Sequence, residues 1–312
     1  MRKLLSLLLC FLLSLGLSAC AKPDEPNPPQ ENKTKITDAL GRTSLLSKDS
    51  KIAVCYGSFA DCLLLSGIDP VAVTDDAIEE HGLDFDDKTQ IIGSVKQINL
   101  ETLIACNPDY VVLSADLAAH LKLEESLKEA GFNYGYFRID TFGDYKAFMG
   151  QFCALSERED LFSKNVLETE KRINAIRQKI PENNPQTVLL LRVFSTGMKA
   201  KSDDNIAGLI LKEFGLKNLA DLHPSLLEDI SLEQIVTDDP DFIFVSTMGN
   251  VEDAEKYLKN NITSNPVWEE LKAIKNDRYV ILPKELFHYK PNEKWDKAYE
   301  FIAKLIFPEV FG

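Results

Sequence analysis

The chain has few of the residues on which enzyme and metal centres are usually built. Its four histidines, His81, His120, His223 and His288, stand far apart, and there is no HExxH. None of its six cysteines forms a CxxC pair or a cysteine–histidine cluster with zinc spacing. There is no G-x-S-x-G elbow, no Walker A loop and no G-x-G-x-x-G turn. These gaps speak against an enzyme, although catalytic groups can assemble from distant residues. Basic charge is also scarce: 35 lysines and arginines face 49 acids, a net charge of −14. Such an acidic surface disfavours nucleic acid as a partner and favours solubility. No apolar run approaches the roughly 20 residues needed to span a bilayer; the longest is Leu4–Leu17.

That run is informative in another way. Behind Arg2 and Lys3 it has the dimensions of a signal-peptide core, which predicts a removed segment over residues 1–19. It ends in Leu17-Ser18-Ala19-Cys20, which resembles a bacterial lipobox. Cys20 is then a lipidated N-terminus that anchors the chain at a membrane without spanning it. An extended spacer rich in proline and charge follows, over residues 20–35. The mature chain keeps 33 basic against 49 acidic residues, a net charge of −16. Cys55, Cys62, Cys106 and Cys153 remain. The location permits a disulfide, and buried free thiols fit equally well.

One unit occurs twice. Residues 98–114 (INLETLIACNPDYVVLS) and 230–246 (ISLEQIVTDDPDFIFVS) share six of 17 positions: Ile98/Ile230, Leu100/Leu232, Glu101/Glu233, Pro108/Pro240, Asp109/Asp241 and Ser114/Ser246. Each is a capped helix, a proline break and an apolar strand. A 132-residue interval is far too long for a solenoid and suggests two similar lobes. Around them, strand-type runs (51–55, 71–74, 134–139, 187–194, 278–282) alternate with helical patterns (59–67, 121–130, 205–214, 292–306). That is an α/β chain with two mainly parallel sheets. Residues 156–180 have helical spacing from Phe162 to Ile180, with Ser156 and Glu159 as a capping box and Pro181 as a stop. A rod of about 36 Å is expected there. The expected division is an N-terminal lobe (36–150), a connecting helix (151–182) and a C-terminal lobe (183–312), with the ligand cleft between the lobes.

Three stretches carry a family resemblance: TDALGR at 37–42, GS-x3-INLE-x-L-x3-NPD from Gly93 to Asp109, and SLEQI-x4-PD from Ser231. With the lipobox and the duplicated unit, the chain resembles the ABC-transporter solute-binding proteins of the iron-siderophore, haem and cobalamin class, over residues 36 to about 307. The resemblance implies no enzyme activity and no cofactor. It implies a lipid-anchored, monomeric, extracytoplasmic protein that captures a ferric siderophore or haem and delivers it to an ABC importer permease. A corrinoid carrier is the alternative within the class, and a surface lipoprotein enzyme the alternative outside it. The resemblance also gives Glu101 and Glu233 a role in docking to permease arginines. From physics alone, an acid in a first helical turn is stabilised by the helix dipole and needs no partner.

Ligands sit beyond the carboxyl ends of parallel strands. Five loops qualify, and they give Tyr56, Ser58, Ser114, Arg192, Met248, Phe287, His288 and Tyr289 as candidate ligand contacts. Arg192 would suit an anionic chelate or, alternatively, form an internal ion pair. His288 and Tyr289 would ligate haem iron or form an aromatic wall. Met248 is an axial ligand or ordinary packing. No histidine-rich loop is present, which argues against a bare zinc or manganese carrier.

Overall fold

The computed structural model describes residues 33–312, which form one compact unit. The expected signal segment, the lipidation site at Cys20 and most of the spacer lie outside the described residues. The first described strand starts at Thr34, two residues before the expected start of the fold near Ile36. A hairpin, β1 (Thr34–Thr37) with β2 (Thr43–Leu46), carries the TDALGR turn. Asp38 organises that turn. Its carboxylate accepts from the amides of Leu40, Arg42 and Tyr136 and from the Arg42 guanidinium at 2.7 and 2.8 Å. Burial would raise this carboxyl, but those bonds hold it below its ordinary value.

The first sheet follows. Strand β3 (Ile52–Val54) leads into helix α1 (Gly57–Leu65), then β4 (Ala72–Val73) and β5 (Gln90–Ile91). A short hairpin, β6 (Gly93–Ser94) with β7 (Gln97–Ile98), precedes α2 (Leu100–Cys106), β8 (Tyr110–Ser114) and β9 (Tyr134–Phe137). The sheet order is β5-β4-β3-β8-β9, all parallel. Strands β3, β4 and β8 are buried along their whole length because both faces are covered there, while the edge strand β5 is exposed.

Helix α3 (Phe142–Ser156) has no counterpart among the sequence expectations. It buries Phe142, Tyr145, Phe148, Met149 and Phe152, and Thr141 with Asp144 forms its capping box. The expected rod therefore starts later than Ser156. Glu157 takes a left-handed conformation (φ 59°) and ends α3. The Ser156 hydroxyl donates to the carbonyls of Cys153 and Ser66 and caps nothing. The rod runs from Glu159 through a wider π turn at Ser163–Leu167 to Arg177.

The second sheet contains β10 (Thr187–Phe194), β11 (Gly197–Ala200), β12 (Lys217–Asn218), β13 (Phe242–Thr247) and β14 (Tyr279–Ile281). Strands β12, β10, β13 and β14 are parallel, and only β11 is antiparallel. Helix α4 (Ile206–Glu213) follows β11, α5 (Leu232–Asp238) precedes β13, and α6 (Trp295–Ile306) lies near the end of the chain. One apolar core joins the two sheets: Val54, Phe59 and Phe148 belong to the same buried cluster as Val188, Phe244 and Trp295. Among the described residues, no helix is long and apolar enough to cross a membrane. Cys55, Cys62, Cys106 and Cys153 are free, and all but Cys106 are buried.

The two repeat copies fold alike. Asn99 and Ser231 are N-caps, accepting from Thr102 N (3.1 Å) and Gln234 N (3.2 Å). Asn107 and Asp239 close α2 and α5 in the same left-handed conformation, φ 45° in both. The shared aspartates tie each copy to the strand beside it: Asp109 accepts from Lys51 N (2.7 Å) and Asp241 from Thr187 N (2.9 Å).

Candidate functional site

In each sheet the chain reverses its direction of winding about its first long strand. The first sheet winds outward from β3 through β4 and returns to β8; the second winds from β10 to β12 and returns to β13. Crevices open at such switch points, beyond the strand carboxyl ends. A cavity of about 370 Å³ lies there. The first sheet contributes Tyr56, Ser114, Asp116, Leu117 and Asp140. The second side contributes Arg192, Asp204, Asn205, Met248, Phe287, His288 and Lys290. Six of the eight candidate contacts therefore meet in one place.

Ser58 and Tyr289 do not line it. Ser58 is fully buried in the first turn of α1, where its hydroxyl lies 3.3 Å from His81 Nε2 and accepts from Lys290 N at 3.5 Å. The Tyr289 ring packs against His81 (centroids 4.7 Å apart) and His288 (5.2 Å), beneath the Lys284 ammonium. Gly57 explains this tight corner. A Cβ there would stand 2.7 Å from the His81 ring, while its amide donates to Asp76 at 2.8 Å.

The electrostatics of the cavity oppose those of the whole chain. Each acid on the wall already has a cation: Asp116 accepts from Arg138 Nε (2.5 Å), Asp140 from Lys290 Nζ (3.1 Å), and Asp204 pairs with Lys201. Arg192 has no ion pair among the described residues, and its buried Nε has no hydrogen-bond partner. Burial lowers the affinity of Arg192 for its proton, and the charge of Asp204 opposes this. His288 is pushed down to about 4, by burial first and then by Lys284, Arg192, His81 and Lys290. Burial, aided by Asp76, Asp116 and Glu80, pushes the Tyr56 hydroxyl up to about 12. At neutral pH the cavity thus presents an unpaired guanidinium, a neutral imidazole and a neutral phenol. Such a set holds an anionic group through charge-assisted and neutral hydrogen bonds.

Asp140, Asp204 and Asn205 also line the cavity and lie outside the loops singled out from the sequence, whereas Lys290 belongs to the loop Phe287-His288-Tyr289-Lys290, which is among them. Asp140 stands just before the unexpected α3, and its amide donates to Asp144 Oδ2 (3.1 Å). Asn205 had a readable signal, because it is the N-cap of α4 and accepts from Gly208 N. The docking candidates Glu101 and Glu233 are both exposed, each in the first turn of its repeated helix. Among the described residues, no group of three or more histidine, cysteine or acidic side chains could hold a metal ion.

This chain belongs to the periplasmic binding protein family, which it matches over residues 52–286. It is therefore a binding protein and not an enzyme, which removes the surface-enzyme alternative. The putative ABC transporter substrate-binding lipoprotein YhfQ of Bacillus subtilis is 26% identical over 293 residues, covering 88% of this chain and 89% of that protein. The Fe(3+)-citrate-binding protein YfmC of the same species is 24% identical over 287 residues, covering 88% and 87%. Among solved structures, siderophore-binding protein BauB, bound to two acinetobactin molecules and ferric iron, superposes with a TM-score of 0.68. That match covers 88% of this chain and 97% of BauB at 19% identity, and it speaks for the fold alone.

Proposed function

We propose that this chain is a lipid-anchored extracytoplasmic protein that captures an anionic iron(III) chelate and hands it to an ABC importer permease. The observation that carries the reading is the unpaired Arg192 guanidinium in a cavity whose acids are all neutralised. Anionic chelates, siderophore or haem, fit that field. The relatives that bind ferric citrate or act in ABC transport point the same way. In this reading Tyr56, Ser114, Arg192, Met248, Phe287 and His288 contact the ligand, and Cys20 carries the lipid. Residues 36–150 and 183–312 act as two lobes linked through the rod, and their shared core limits them to small adjustments. Glu101 and Glu233 dock, as a monomer, onto a basic permease surface.

Titration of the detergent-solubilised full chain tests the ligand class. The panel contains ferric citrate, ferric siderophores, haem and cobalamin, with quenching of Trp268 and Trp295 as the signal. Saturable one-to-one binding of an anionic iron complex is expected. Preference for cobalamin would move the chain to the corrinoid branch, and no saturable binding would refute the iron reading.

A further inference from the structure

We propose that Asn292 is a positioning residue for the cavity: its side chain clasps the loop bearing His288 and Lys290 to the helix that begins after Tyr56. The inference rests on the reading of that cavity as the ligand site. Asn292 is fully buried and takes a left-handed backbone conformation (φ 51°), which is uncommon for a residue with a Cβ. Both its N–H donors and its oxygen are paired, and every partner lies on α1, some 230 residues away in sequence. Nδ2 donates to Ser58 O at 3.0 Å and to Asp61 Oδ2 at 2.6 Å, and Oδ1 accepts from Cys62 Sγ at 3.2 Å. A carbonyl and a carboxylate only accept, so this orientation of the amide is the one that pairs both its ends.

The clasp is close to the cavity on both sides. Lys290 lies two residues before Asn292, and its amide donates to Ser58 Oγ. Tyr56 is the N-cap of α1, five residues before Asp61. The separation of Tyr56 from His288 and Lys290 is therefore fixed at Asn292. Other bonds to this turn serve a different purpose. Thr169 Oγ1 donates to Glu293 O at 3.2 Å and ties the turn to the rod, away from α1.

Two variants separate positioning from general stability. Asn292→Gly keeps the left-handed backbone at little cost and removes the amide. Thr169→Val removes one bond from the same turn, together with the bond that Thr169 Oγ1 accepts from Arg172, and leaves the clasp intact. Hydrogen exchange on the ligand-free full chain is the first readout. Asn292→Gly should speed exchange at Lys290 and in the first turn of α1 by at least about tenfold, the effect of one lost hydrogen bond, since the variant removes three. Strands β10 and β13 should lose less protection than these, and Thr169→Val should leave the Lys290 amide unchanged. The second readout is affinity for ferric citrate or whichever ferric siderophore the wild type binds. It should fall about tenfold in Asn292→Gly and stay near the wild-type value in Thr169→Val, while the melting temperature falls in both. Unchanged exchange at Lys290, or a loss spread evenly over both sheets, would overturn the proposal. If the wild type binds no iron complex, the functional reading fails while the exchange experiment still decides the role of Asn292.

Discussion

Replacing Arg192 by methionine should make the protein more stable and a worse binder. The two effects have one cause. The guanidinium Nε is buried with no acceptor, and no carboxylate within ion-pair distance offsets the charge. An unsatisfied buried donor costs about 1–3 kcal/mol. Methionine keeps an unbranched apolar stem and removes the donor. For a chain of this size, 1 kcal/mol moves the melting temperature by about 2–4 °C. A gain of a few degrees is therefore expected. A charge-assisted hydrogen bond to an anionic ligand contributes about 1.5–3 kcal/mol, so affinity should drop about 10- to 100-fold. Circular-dichroism melts and ferric-complex titrations on the same preparations measure both. Lower stability with unchanged affinity would refute the reasoning, because it would mean that Arg192 serves the fold.

Glu101→Ala with Glu233→Ala should abolish uptake in cells while leaving the measured ligand affinity intact; persistent uptake would remove both from docking. Asp38→Ala should lower stability by about 1–3 kcal/mol, because it orphans the buried Tyr136 amide and leaves Arg42 only its longer pairing with Glu124, and urea unfolding measures it. Since Asp38 is held below its ordinary value, its contribution is present above about pH 4 and lost as pH falls through the folded value; the variant should lack that acid arm. Asp61 behaves in the opposite sense. Burial raises it to about 6, with Glu293 adding to this while Asn292 and Lys294 oppose it. Its contribution is full below the unfolded value near 4 and is lost as pH rises through about 6. Asp61→Asn should gain about 1–3 kcal/mol at pH 7.5 and nothing at pH 4, measured by urea unfolding at both.

The duplicated unit was legible because its signals are local. A cap, a left-handed closing residue and a proline each act within a few residues of themselves, and they fold the same way at Asn99–Ser114 and Ser231–Ser246. Helix α3 carried a local signal too, since Phe142, Tyr145, Met149 and Phe152 share one face. Gly143 and Gly150 weaken that signal without cancelling it, because burying the aromatic face outweighs their cost. The Ser156–Glu159 spacing misled because Ser156 lies in the last turn of α3, with the left-handed Glu157 after it, and so stands at the end of a helix and not before one.

The cavity marks where such local reading ends. Topology assigns the loops, because strand carboxyl ends converge wherever the winding reverses, but packing elsewhere decides which side chains of a loop face the cavity. Tyr56 faces the cavity while Ser58 is shut behind it, and His288 faces it while Tyr289 stacks on His81. Charge pairing is equally non-local. Arg192 is free only because every nearby acid is already held: Asp204 by a lysine three residues before it, Asp116 by an arginine 22 residues on, Asp140 by a lysine 150 residues on. In a chain with 49 acids, an arginine would be expected to find a partner. Of the three acids, Asp204 is the one whose charge acts on Arg192, and Lys201 holds it. It follows that removing a pairing cation should silence Arg192 without touching it. Lys201→Met frees Asp204, whose charge already acts on Arg192, to pair with the guanidinium. Anion affinity should then fall nearly as far as in the direct Arg192 variant, and stability should show no matching gain.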